Sequence, residues 1–260
     1  MQSVGASTRN ANFHPCGKRP RPTGRDTELN IIELDPLGNK LLARLPRADF
    51  DLLLPYLVCG PFAQGTVLAE AGDEVEQIYF PLSGMISLVV VMKDGKAIET
   101  ATIGRDGVFG ASSGFDLHKS RVRAIVQVQM KAARMSASQF RKAVAASKTL
   151  QKLCIDDGEA LLAQARVTAA CNALHKVEAR FCRWLLQTSE ITESETITLT
   201  QEFLSEMLGV RRTSVTEVAS KLQADGVISY SRGHIKIIDR PALEQMSCEC
   251  FQTLREQKAL

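Results

Sequence analysis

From residue 136 to residue 187 the chain has no proline and a single glycine, and is crowded with Ala, Leu, Gln, Lys and Arg. Such residues lose little conformational freedom in a helix, so this stretch predicts helix almost throughout. It divides the sequence in two. Ahead of it, between Phe62 and Met135, short runs rich in Val, Ile, Phe and Tyr are each closed by Gly, Pro, Asn or Asp. Strands are expected at 66–69, 77–80, 85–92, 97–103, 124–129 and 132–135. Lys93-Asp94-Gly95-Lys96 separates two of them, and Asp-Gly is the strongest short hairpin signal because both central residues of that turn take positive φ. Many short strands at regular spacing predict an antiparallel β-roll or barrel.

The flanks of the roll read as helix. Residues 40–57 carry Leu41, Leu42, Leu45, Phe50 and Leu53 near helical spacing, with a stop at Pro55 and Pro61. A short helix is expected to begin at Ser136, a longer one at about Leu150 running past Cys171, and a third over 176–187 with Phe181, Trp184, Leu185 and Leu186 as its apolar face. Leu153, Ala160, Val167 and Leu174 lie seven apart. On spacing alone, packing against the chain's own roll and a seam between two copies explain them equally well.

With 260 residues, two domains are the natural expectation. At 45% hydrophobic and 23% charged residues, the composition excludes collagen, extended disorder and a disulfide scaffold. No apolar run approaches the ~18 residues that span a bilayer. The N-terminus lacks the apolar core of a signal peptide, so a cytoplasmic chain is expected. Residues 1–25 hold Arg9, Lys18, Arg19, Arg21 and Arg25 without an acid, beside Pro15, Pro20 and Pro22. Residues 1–35 are therefore read as a disordered basic arm, either a solvated tail or an arm that touches DNA. The net charge of +3 is too small to argue for nucleic acid by itself.

Seven cysteines are scattered over the chain, at 16, 59, 154, 171, 182, 248 and 250, with no C-x-x-C pair. Reduced thiols are expected. Cys248 and Cys250 alone are close, and a C-x-C falls short of the four soft ligands a structural metal usually needs. They are read as two ordinary thiols, and no metal is expected. Of the histidines, at 14, 118, 175 and 234, His175 is read as a structural hydrogen-bonder.

Residues 196–240 carry the most specific pattern. Thr200 can cap a helix burying Phe203, Leu204, Met207 and Leu208. Gly209-Val210 forms a tight corner, and a second helix follows with Val215, Val218, Ala219 and Leu222 at i, i+3, i+4 and i+7. Gly226 ends it. Residues 227–230 and 235–238 then pair across Ser231-Arg232-Gly233-His234, a hairpin wing beside a helix-turn-helix. A major-groove helix needs side chains near its N-terminus that reach bases or phosphates, and Arg211, Arg212, Thr213, Ser214, Thr216 and Glu217 supply them within about two turns. Lys221 on the same helix, with Arg232 and His234 on the wing, completes the expected DNA contacts. The competing reading of each residue alone is a solvated helix face with ordinary hydroxyls; the unit as a whole favours DNA.

The arrangement resembles the Crp/Fnr family of bacterial transcription regulators. The resemblance is carried by Phe80-Pro81-Leu82-Ser83-Gly84-Met85-Ile86-Ser87, by Ile103-Gly104-Arg105-Asp106-Gly107-Val108-Phe109-Gly110, and by 199–209 running into Val210-Arg211-Arg212-Thr213-Ser214-Val215-Thr216. It spans about residues 40–240. The fold it implies is α+β: an N-terminal antiparallel β-roll of the cyclic-nucleotide-binding type (a double-stranded β-helix) over 36–147, a long dimer helix and linker helix over 148–187, and a C-terminal winged helix-turn-helix over 188–260. It implies a homodimer paired through the long helix and bound to palindromic double-stranded DNA, with RNA polymerase as a further candidate partner. It places Arg212 on the family's base-reading arginine and Thr213 and Glu217 on the other two reading positions.

What the roll senses is less clearly written. In the family's cyclic-nucleotide branch a Gly-Glu pair holds the ribose hydroxyl, and an Arg-Ser or Arg-Thr pair grips the cyclic phosphate. Here Gly110 is followed by Ala111, and the phosphate region reads Ser120-Arg121-Val122-Arg123-Ala124, with no hydroxyl after the arginine. An unpaired ligand hydroxyl costs about 1–3 kcal/mol, so cyclic AMP is not the expected ligand. Gly110, Ala111, Arg121 and Arg123 remain the candidate pocket for another anion. The iron–sulfur branch needs several N-terminal cysteines, and only Cys16 stands there. No cofactor is implied, and the effector is left unassigned. The alternatives are a cyclic-AMP-responsive regulator with an atypical pocket and a cupin-like metal enzyme, which wants two histidines and a carboxylate inside the barrel where this roll has only His118. A regulator is expected, not an enzyme.

Overall fold

The computed structural model describes residues 14–15 and 35–258. The arm expected over residues 1–35 therefore lies outside the described residues, except at two positions and its last residue. There, β1 (His14–Pro15) pairs antiparallel with β2 (Val58–Phe62). Pro15 lacks an N–H, and an edge strand is where a proline is tolerated.

The helix expected over 40–57 is broken. It forms α1 (Lys40–Ala43), capped by Asn39, and α2 (Arg47–Phe50), followed by a 3₁₀ turn at Leu54–Tyr56. Pro46 and Pro55 each withhold the N–H that a continuous helix would need. Leu41, Leu42, Phe50 and Leu53 are nonetheless buried, as their spacing predicts.

The roll is built from β2, β3 (Val67–Ala69), β4 (Gln77–Val91), β5 (Ala97–Ile103) and β6 (Arg123–Ser136), in the sheet order β1-β2-β6-β4-β5 with β3 beside β6. Four expected strands merge into two. The 77–80 and 85–92 runs are one strand, as are 124–129 and 132–135, and the register shifts between Pro81 and Ile86 take up the intervening residues. Such bulges bend a long strand without ending it. The Asp-Gly turn also differs from expectation. Gly95 is left-handed but Asp94 is not, and Gly95 N donates to Met92 O at 3.0 Å. This is a longer loop with glycine at the left-handed position, a common hairpin form after the two-residue turn.

Ser136 caps α3 (Ala137–Ala146), and Ser147 caps α4 (Lys148–Leu174). His175 interrupts the helical stretch before α5 (Val177–Thr192). The second unit takes in α5, whose Phe181, Trp184 and Leu185 lie in its core, and continues with β7 (Thr196–Thr198), α6 (Gln201–Leu208), α7 (Arg212–Ala224), β8 (Ile228–Ser231) and β9 (His234–Ile237), with sheet order β7-β9-β8. Two helices that the sequence pattern did not suggest close the described chain, α8 (Arg240–Met246) and α9 (Cys250–Lys258). Cys59 is disulfide-bonded, contrary to the expectation of a fully reduced set. No helix among the described residues is long and apolar enough to cross a membrane.

Each unit has its own core. Phe80, Ile78, Phe140 and Leu150 centre the roll, and Trp184, Leu204, Val215, Leu222 and Ile235 centre the second domain. Met85 and Val89 of β4 belong to the second core, so the winged unit is seated on the outer face of the roll.

Candidate nucleic-acid interface

The corner between α6 and α7 sets the interface. Thr200 caps α6, its hydroxyl accepting from Phe203 N at 3.3 Å, and losing such a cap costs about 1 kcal/mol. Gly209 closes α6 at φ 63°, a conformation that costs glycine nothing. A Cβ there would also lie 2.7 Å from Ile98 Cδ1 on β5. The helix-turn-helix corner therefore rests directly on a roll strand, and glycine meets both demands.

Beyond that corner, α7 buries Val215, Ala219 and Leu222 and turns its other side out. Arg211, Arg212, Thr213, Thr216 and Glu217 are exposed, and Ser214 is half-buried. Among the described residues no hydrogen bond or ion pair engages the side chains of Arg211, Arg212, Thr213 or Glu217. The Thr216 hydroxyl donates back to Arg212 O at 3.0 Å. Arg211 stands at the N-cap without a side-chain cap, so no side chain of its own covers the Arg212 and Thr213 N–H groups, while Ser214 N–H donates to Arg211 O at 3.0 Å. Open amides at the positive end of a helix dipole suit a phosphate. Lys221 is exposed but not free, since its Nζ sits 2.8 Å from Glu178 Oε1.

The wing turn has two left-handed residues, Arg232 at φ 49° and Gly233 at φ 80°, as a two-residue hairpin between Ser231 and His234 requires. Arg232 and His234 are exposed, and the His234 ring contacts Thr198 Oγ1 at 3.1 Å. Tyr230 N–H of β8 donates to Gln223 Oε1 of α7 at 2.7 Å, which ties the wing to that helix. Lys236 was not singled out in the sequence. It is exposed between buried Ile235 and Ile237, and that alternation was the signal that could have found it.

In the second candidate set the two arginines differ in what they touch. Arg121 is exposed, while Arg123 Nε donates to both oxygens of Glu70 at 3.0 and 2.9 Å, so its charge is already matched. Gly110 is left-handed and crowded by Val75, and Ala111 opens a short 3₁₀ turn with no carboxylate to offer.

A buried polar seam links roll to winged unit. Glu99 on β5 accepts from Trp184 Nε1 at 2.8 Å and from Ser87 Oγ. Burial pushes its carboxyl up to about 7, against the opposing pull of those hydrogen bonds and of Arg183. Beside it, Gln164 of α4 brackets Thr102, accepting from its N–H and donating to its hydroxyl, both at 2.9 Å. Gln187 of α5 donates to the same hydroxyl at 3.2 Å and accepts from Arg183 at 2.7 Å.

The structure also corrects the reading of Cys248 and Cys250 as two isolated thiols. Cys171 and His175 lie against them, from a segment far away in sequence.

Comparison with known proteins gives two domain matches. Residues 60–147 match the cyclic nucleotide-binding domain family and residues 179–246 the Crp-like helix-turn-helix domain family, together more than half of the chain. No curated protein sequence matches significantly. Among solved structures, a CRP-family transcriptional regulator from Thermus thermophilus is 18% identical with a TM-score of 0.62, over 72% of this chain and 95% of its own. FixK2 from Bradyrhizobium japonicum is 16% identical with a TM-score of 0.64, over 74% and 98%. The c-di-GMP-responsive regulator CLP from Xanthomonas campestris is 18% identical with a TM-score of 0.61, over 74% and 99%. These identities establish a shared fold.

Proposed function

This chain belongs to the Crp/Fnr family of DNA-binding transcription regulators, and from that premise we propose that it works as a cytoplasmic homodimer reading a pseudo-palindromic operator through Arg211–Glu217. The observation that carries this reading is the exposed, unengaged N-terminal face of α7 on a helix whose opposite side is locked into the core. Arg212, Thr213 and Glu217 are the base-reading residues; Arg211, Arg232 and His234 are placed to meet phosphates, with Lys236 beside them. Lys221 holds Glu178 and acts as a helix anchor first.

Dimerisation is supported by what α4 leaves uncovered. Leu153 is buried in the chain's own roll, which removes it from a seam. Ile155 and Leu162, seven residues apart, are 56% and 42% exposed. Gly158 on this side has nothing within 4 Å of an added Cβ, leaving room for a second helix. The seam is thus Ile155–Leu162–Ala169, displaced by two residues from the heptad that begins at Leu153.

The roll acts as a sensor that has lost cyclic-nucleotide chemistry. Ala111 supplies no ribose-binding carboxylate, and Glu70 already occupies Arg123. RNA polymerase is the further partner expected of a regulator so built.

Selection of bound duplexes from a random pool tests the reading. It should return an inverted repeat with half-sites roughly 34 Å apart, one helical turn. Enrichment of no motif, or of single half-sites only, would contradict it.

A further inference from the structure

Three cysteines and a histidine meet at the joint where α4 gives way to α5. Cys171 lies in the last turn of α4, and His175 follows one turn later as its C-cap. Cys248 and Cys250 arrive from the C-terminal segment, at the start of α9. Their ligand atoms all lie within 4.8 Å of one another. The Cys171 and Cys248 sulfurs are 3.5 Å apart, and Cys250 Sγ is 3.6 Å from His175 Nδ1.

We propose that Cys171, His175, Cys248 and Cys250 form a tetrahedral zinc site that ties the α4–α5 joint to α9. A metal–sulfur bond of about 2.3 Å gives a tetrahedron with edges of about 3.8 Å, close to the 3.5 and 3.6 Å contacts, with the remaining pairs inside 4.8 Å. Three thiolates and one imidazole are a common structural zinc set, and four protein ligands leave no open position for catalysis. A [4Fe–4S] cluster fits less well, because each ligand would bind a different iron and the ligand atoms would have to stand further apart.

The surroundings support an ion better than they support packed thiols. The three sulfurs are nearly enclosed, with Val167 and Ala179 against them. His175 offers Nδ1 to the cluster, while its Nε2 meets Glu249 Oε1 at 3.1 Å. A carboxylate on the second ring nitrogen fixes the tautomer that frees the first for a metal. Three thiolates around one divalent ion leave an excess negative charge. Arg180 and Arg183 are buried and within electrostatic range of Cys171, and among the described residues each has an Nε without a hydrogen-bond partner. An ion here would restrain the joint between the roll and the winged unit, independently of how DNA is read.

The test is anaerobic titration of reduced, metal-stripped full-length protein with Co²⁺. Tetrahedral thiolate coordination should appear as visible d–d bands and a near-ultraviolet charge-transfer band, saturating at one ion per chain and displaced by one equivalent of Zn²⁺. Glu249→Gln, an exposed change that spares the fold, should weaken uptake about tenfold or more. Cys248→Ser should remove part of the charge-transfer intensity. A folded wild-type protein that yields no such bands, or one whose bands survive Cys248→Ser and Cys250→Ser together, would overturn the proposal.

Discussion

At the scale of single residues, arginines separate by what they touch. Arg123 and Arg240 are bound by carboxylates of their own chain, whereas among the described residues Arg211 and Arg212 are bound by none. An arginine that grips a guanine edge contributes both affinity and choice of base. Arg212→Ala is therefore expected to weaken operator binding by ~1–3 kcal/mol and to relax preference at one base position per half-site. Repeating the duplex selection with the variant checks this; an unchanged motif would make Arg212 a phosphate contact only. Glu99 makes a different prediction. Its folded pKa of about 7 is raised above the ordinary 4.5, so within that window the folded state holds a proton that the unfolded chain releases. Stability contributed by the neutral form is full below 4.5 and falls as pH rises through about 7. Asp157, pushed up to about 8 by burial and by Asp106, acts in the same sense. Glu99→Gln should flatten part of the decline, by roughly 1–3 kcal/mol, when urea midpoints are compared across the window. Identical pH profiles for variant and wild type would show that the carboxyl does not titrate there.

At the scale of elements, the proposed assembly rests on the uncovered side of α4. Placing a carboxylate at Leu162 would bury charge against charge at the centre of the seam. Leu162→Glu is expected to raise the monomer–dimer dissociation constant by tenfold or more, about 1.4 kcal/mol, while leaving the monomer folded. Sedimentation equilibrium reads both. A variant that dimerises like the wild type would place the seam elsewhere. The same helix shows where sequence reasoning reached its limit. Residues 148–174 read clearly as helix from composition, but which face is buried depends on where the roll sits. Leu153 and Ile155 are equally apolar, and only tertiary contact buries the first and leaves the second exposed. The winged unit was more legible because each signal is local: the Thr200 cap, the left-handed Gly209, the i, i+3, i+4 spacing of α7, the Arg232-Gly233 turn. The roll was intermediate. Its strands were found, yet Pro81 and Gly84 looked like ends when they are bulges, and β2 was missed because Gly60 and Pro61 obscure it. Of the cysteine cluster only the Cys248–Cys250 spacing was visible locally, since its two halves lie 77 residues apart in sequence.

At the scale of the whole molecule, two cores share a polar seam, and a corner glycine rests on a roll strand. The roll therefore touches the DNA-binding unit at Gly209, at Glu99–Trp184 and at Thr102–Gln187, so a change in the roll has a physical route to the reading helix. The central claim remains that the outward face of α7 meets duplex DNA. Binding to the selected operator, measured as salt is raised, tests it most directly. Each phosphate neutralised releases counterions and steepens the log–log dependence by about 0.9. Two copies, each presenting Arg211, Arg232 and Lys236 to the backbone, should give a slope of about −5. An affinity that is indifferent to salt, or equal for operator and scrambled duplex, would contradict the account.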